Sequence, residues 1–63
     1  MSSAATHQQD RLLTAQQVAQ LLSVRAAWVY EQSRRGRLPT VNLGRYKRYR
    51  YEAVIHWIKE NEK

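Results

Sequence analysis

A chain of 63 residues can hold one small core and no second domain, so any site lies on its surface. It has no cysteine, which removes disulfides and Cys-based zinc sites, and its two histidines, His7 and His56, are isolated. A hydrophobic share of 43% supports a real core, while a net charge of +6 and a pI near 10.3 call for a polyanionic partner.

Met1 to about Arg11 is polar and aperiodic and reads as a disordered tail, domain boundaries falling at 1–11 and 12–60. No signal-peptide segment and no apolar run of the roughly 20 residues a membrane span needs is visible, so a cytoplasmic, nucleoid-associated protein is expected. Order is expected from Leu12-Leu13. Thr14 is a good helix N-cap, and Gln17 three residues later completes a capping box. The spacing of Ala15, Val18, Ala19 and Leu22 predicts a first helix over Ala15 to Leu22, with Gln16, Gln17 and Gln20 outward.

Ser23-Val24-Arg25 breaks that pattern. A second helix is predicted from Ala26 to Arg35, closed by Gly36 in a left-handed conformation. Two short helices at a tight turn form either a helix-turn-helix or a plain helical hairpin, and spacing does not separate the two. Val29 is the inward anchor of the second helix, whereas Gln32 and Ser33 sit where apolar packing is expected. Leu38-Pro39 ends helical character. Thr40 to Leu43, a Gly44-Arg45 turn and the tyrosine-rich stretch from Tyr46 to Tyr51 then predict a two-stranded hairpin. Val41 and Leu43 are expected to face the core with Tyr49, leaving Tyr46, Arg48 and Arg50 on the other side, and a one-residue slip would exchange these faces. A third helix is predicted from Glu52 to about Lys59 with Val54, Trp57 and Ile58 on one face. Tyr51 is a poor cap for it, and residues 61–63 are expected to fray.

The charge is concentrated. Arg25 to Arg50 contains eight basic residues against the single acid Glu31, a net +7, so the remainder of the chain sums to −1. On the second helix, Arg25, Ala26, Ala27, Trp28, Tyr30, Glu31, Arg34 and Arg35 are candidates to reach a groove. Arginine pairs with guanine, Glu31 can accept from a cytosine amino group, and alanine methyls meet thymine methyls. Glu31 can instead pair with Arg34 or Arg35 along the helix, and Trp28 can belong to the core edge instead of a platform against the DNA backbone. In the hairpin, Asn42, Arg45, Tyr46, Lys47, Arg48 and Arg50 are candidates to lie along phosphates or to enter a minor groove, although a charged edge strand also prevents aggregation.

No catalytic residue is assigned. The sequence lacks a nucleophile motif, a phosphate-cradling glycine loop, metal-ligand spacing and a carboxylate pair, so neither enzyme activity, metal nor cofactor is expected.

Leu13-Thr14-Ala15 through Val18-Ala19, then Val24, Trp28-Val29-Tyr30, Arg35-Gly36-Arg37-Leu38-Pro39 and Leu43-Gly44-Arg45 through Arg48-Tyr49-Arg50, resembles the excisionase-type winged helix-turn-helix domains, relatives of the MerR DNA-binding domain. The resemblance covers about Leu12 to Lys59, with departures at Gln32-Ser33 and Tyr51. It implies a small, mainly helical α+β fold: three helices, with a two-stranded wing between the second and third. It also implies double-stranded DNA as partner, with the second helix in the major groove and the Gly44-to-Arg48 wing in the minor groove. Such proteins include recombination directionality factors, which bend DNA and help an integrase excise a phage or integrative element, and small transcriptional regulators. Cooperative self-association on DNA is expected of so small a binder. A basic module for RNA or acidic protein is the reading from another class.

Overall fold

The structure, a computed structural model, describes residues 11–62. The elements run β1 (Leu12–Leu13), α1 (Ala15–Leu22), α2 (Ala26–Arg34), β2 (Val41–Leu43), β3 (Tyr46–Arg50) and α3 (Tyr51–Glu60). The expected tail over Met1–Asp10 lies outside the described residues.

The start of α1 follows from two side chains. Thr14 Oγ1 accepts from the Gln17 backbone N–H at 3.1 Å while Gln17 Oε1 accepts from the Thr14 N–H at 2.9 Å, a complete capping box. Its end is less usual. Ser23 takes a left-handed conformation (φ 60°), with its N–H on the Gln20 carbonyl and that of Val24 on the Ala19 carbonyl. Those are the two bonds of a Schellman end, reached without the usual glycine. The tight turn swings α2 back across α1. The close of α2 repeats the motif with a glycine: Gly36 (φ +70°) donates to Ser33 and Arg37 donates to Gln32, so Arg35 caps the helix as its last partly helical residue.

The sheet has three strands in the order β1-β3-β2, all antiparallel, where two were expected. Leu12-Leu13 is the addition, pairing Leu12 with Arg50 and Leu13 with Tyr49. Two residues carry no readable strand period, and their partners lie 38 and 36 positions away. This third strand explains the poor cap as well. The final helix begins one residue earlier than predicted, at Tyr51, with Arg50 as N-cap. No side chain caps it; instead the Tyr51 N–H donates to the Arg11 carbonyl at 3.0 Å, so the sheet's edge satisfies a donor that a capping side chain would otherwise take. At the other end Asn61, expected to fray, caps α3 through its backbone N–H and through Nδ2 to the Trp57 carbonyl.

The core comprises Leu13, Ala15, Val18, Ala19, Val29, Leu38, Tyr49 and Val54, edged by Leu22, Val24, Ala26, Tyr51, Trp57 and Ile58. Leu38 enters it despite lying in the connection after α2, where Thr40 Oγ1 donates to its carbonyl and Trp57 Nε1 donates to that of Arg37. These bonds pin the irregular segment between helix and hairpin. No buried side-chain polar atom among the described residues lacks a partner. The fold is the small α+β winged helix-turn-helix that the element pattern implies, with one extra strand.

Candidate nucleic-acid interface

Two elements present the basic side chains, and the physics that positions them differs. In α2 the inward face is set by Val29, which is fully buried, and by Ser33 one turn later. The helical phase read from the sequence is therefore right, and the polar residue there has a partner. Ser33 Oγ lies 2.9 Å from the Val29 carbonyl and 2.7 Å from the Tyr49 hydroxyl. Tyr49, buried completely, brings its phenol to the Ser33 hydroxyl, which satisfies it. The hydrogen bond ties α2 directly to β3.

With Val29 and Ser33 inward, the outward stripe of α2 carries Ala27, Glu31, Arg34 and Arg35, flanked by Tyr30 on one side and Trp28 on the other. Arg25, the N-cap, is also exposed, and no side chain caps this helix start. Ala26 is a correction: it is half-buried against the core, because it shares the face of Val29 and Ser33 and cannot reach outward as expected. Glu31 accepts from Arg34 and, at 2.8 Å, from Arg35 Nε, so its carboxylate is engaged on its own helix. Trp28 is not among the residues packed against the core: it is 39% exposed, its ring edge-on to that of Trp57 with the centroids 6.5 Å apart.

The wing is built on β2 and β3. Its register pairs Val41 with Arg48, Asn42 with Lys47 and Leu43 with Tyr46 around the two-residue loop Gly44-Arg45. Gly44 has φ +62° and Arg45 has no positive φ, the pattern of a type II′ turn, which suits the twist of a hairpin. Directly paired residues share a sheet face. Val41 and Leu43 therefore point the same way as Tyr46 and Arg48, and away from Tyr49. The expectation that Val41 and Leu43 face the core with Tyr49 is thereby overturned: Leu43 is 48% exposed and Val41 only half-buried. Leu13, across from Tyr49 on the inner strand pair, takes the core place assigned to them.

Around the wing tip the cations are organised. The Arg45 and Arg48 guanidiniums lie 5.4 and 5.6 Å from the centroid of the Tyr46 ring, within the range of cation–π attraction. Arg48 also donates to the Lys47 carbonyl, and Lys47 Nζ donates to Asn42 Oδ1 at 2.9 Å on the opposite face. The sequence has no acid between Glu31 and Glu52, so this whole stretch is electropositive. Arg50 is exposed at the base of the wing, where it opens α3.

Of the residues singled out from the sequence, then, Arg25, Ala27, Trp28, Tyr30, Arg34 and Arg35 reach the surface on α2, as do Asn42, Arg45, Tyr46 and Arg50 on the wing, with Lys47 and Arg48 half-buried. The partner of Tyr49 at Ser33 and the exposure of Leu43 were not expected. Ser33 could have been found as a polar residue in the apolar phase of a helix facing a tyrosine-rich strand; Leu43 follows from counting the loop as two residues.

Helix, tight turn and helix, followed by a wing, define a helix-turn-helix domain. The chain belongs to that family of DNA-binding domains, whose model matches residues 12–62. Neither a curated protein nor a solved structure matches the chain significantly. Its partner is DNA. No helix among the described residues is long and apolar enough to cross a membrane, and no cluster of residues there could hold a metal ion.

Proposed function

We propose that the protein is an excisionase-type recombination directionality factor, a MerR-like winged helix-turn-helix protein that binds and bends duplex DNA without catalysing any bond change. The carrying observation is the pairing of an outward basic helix face with a wing whose arginines gather at its tip, linked through the Ser33–Tyr49 hydrogen bond. In this reading α2 enters the major groove. Ala27, Tyr30, Arg34 and Arg25 meet base edges or flanking phosphates, and Glu31 holds Arg34 and Arg35 in place until DNA competes for them. The wing lies in the adjacent minor groove, where Arg45 and Arg48 meet the negative potential of a narrow A·T-rich tract.

About five neutralised phosphates give a log–log salt slope of roughly −4 to −5, so useful occupancy needs several copies side by side, bound cooperatively at the nucleoid. The partner is an integrase acting at the same DNA. A small transcriptional regulator would make the same contacts, and the two roles separate by experiment. Footprinting across attachment-site DNA, with an excision assay containing the cognate integrase, should show directly repeated sites and stimulated excision. Protection confined to a promoter, with altered transcription and no effect on excision, would assign the regulator role instead. A preference for structured RNA over duplex DNA would remove both.

A further inference from the structure

The wing tip carries two apolar side chains that the fold does not use. Leu43 and Tyr46 are the last paired residues before the Gly44-Arg45 loop, face each other across the strands, and are 48% and 53% exposed. Neither belongs to the core or packs on its edge. Exposed hairpin tips are ordinarily polar, since an apolar pair there gains nothing from folding and invites association. Here the pair is rigidly presented: the two-residue loop fixes the strands, and the guanidiniums of Arg45 and Arg48 grip the Tyr46 ring.

We infer that Leu43 and Tyr46 form an apolar wedge that enters a base-pair step of duplex DNA from the minor groove and kinks it. The inference rests on the reading above, in which the wing occupies that groove, and it names the residues that would do the bending. Charge selects the occupant. A second copy of this chain would bring its own +7 stretch against the same tip and be repelled, whereas a nucleic acid offers phosphates to Arg45, Lys47 and Arg48 on both sides of the apolar pair. Apolar side chains inserted between base pairs pay the cost of unstacking and in return bend the duplex around the protein. Steps that unstack easily, TA and CA/TG, should be the preferred points of entry.

A duplex already unstacked by a single mismatch has met much of that cost, which makes a test possible before any specific site is known. Fluorescence anisotropy would compare wild type, Leu43→Thr and Leu43→Thr/Tyr46→Thr on an intact duplex, the same duplex with one central mismatch, and the matching single strand. A 2-aminopurine beside the mismatch position would report unstacking. Both positions are exposed and threonine suits a strand, so the fold is expected to persist, which circular dichroism checks. Wild type should prefer the mismatched duplex by about tenfold and raise 2-aminopurine emission on the intact one. The variants should lose both effects while keeping the salt slope on intact duplex. Salt-dependent duplex binding with no mismatch preference, or with a preference the threonine variants retain, overturns the wedge and leaves the DNA-binding reading standing. Absence of duplex binding overturns both. Tightest binding to the single strand also overturns the wedge, making Tyr46 a stacking platform for unpaired bases.

Discussion

Helix α2 and the wing carry the same kind of charge, yet they hold it in opposite ways. At the C-terminal end of α2 Arg34 and Arg35 are both engaged by Glu31, so the helix presents a triad of reduced positive charge with small and aromatic side chains around it. On the wing, Arg45 and Arg48 lie against an aromatic ring, which orients a guanidinium without neutralising it. In the proposed function the difference separates two tasks. Arg45 and Arg48 supply attraction to any duplex, and a helix whose arginines must exchange one carboxylate for another acceptor discriminates among sequences.

The largest expected effect tests the wing's half of this contrast. Arg45→Ala/Arg48→Ala should weaken duplex binding by about a hundredfold at low salt and flatten the log–log salt slope by about 2. A titration at several salt concentrations reads both, and an unchanged slope would remove the wing from the phosphate-contacting surface. Next comes the link between the two regions. Tyr49→Phe keeps the buried ring but removes the hydroxyl that meets Ser33, and should lower stability by about 1 kcal/mol in urea unfolding. Ser33→Ala should cost more, since it leaves the buried Tyr49 hydroxyl without its partner and also removes the bond to the Val29 carbonyl, and the double variant should lose less than the sum of the two single losses.

A smaller change is expected on the helix, and its sign is the informative part. Glu31→Gln frees Arg34 and Arg35, so affinity for mixed-sequence duplex should rise about threefold, with a steeper salt slope and with little effect on thermal stability, as befits an exposed pair. Weaker binding would instead show Glu31 contacting a base. The smallest effect lies in the turn that sets the angle between the helices. Ser23 adopts φ 60°, so Ser23→Gly should raise stability by about 0.5 kcal/mol.

Much of this molecule is legible in its sequence because the relevant forces are local. The capping box at Thr14-Gln17, the glycine that ends α2 and the Gly44-Arg45 turn each depend on a few adjacent residues, and each forms as their chemistry dictates. The +7 stretch is equally plain, since counting charges needs no fold. Non-local pairing is not legible in this way. Leu12-Leu13 becomes a strand only because β3 lies beside it, and Tyr51 dispenses with a capping side chain only because the Arg11 carbonyl arrives from that strand.

The wing shows the same division at finer grain. Alternation along Thr40 to Tyr49 established that two strands exist and which residues alternate within each. The two-residue Gly44-Arg45 loop already puts Leu43 opposite Tyr46, and which of the two faces met the core was decided when Leu13 paired with Tyr49. Composition and local pattern thus determined the elements, their order and the basic surface. Tertiary structure decided which side chains that surface displays, because the side-chain period of a strand is 2 and a single residue of register reverses it.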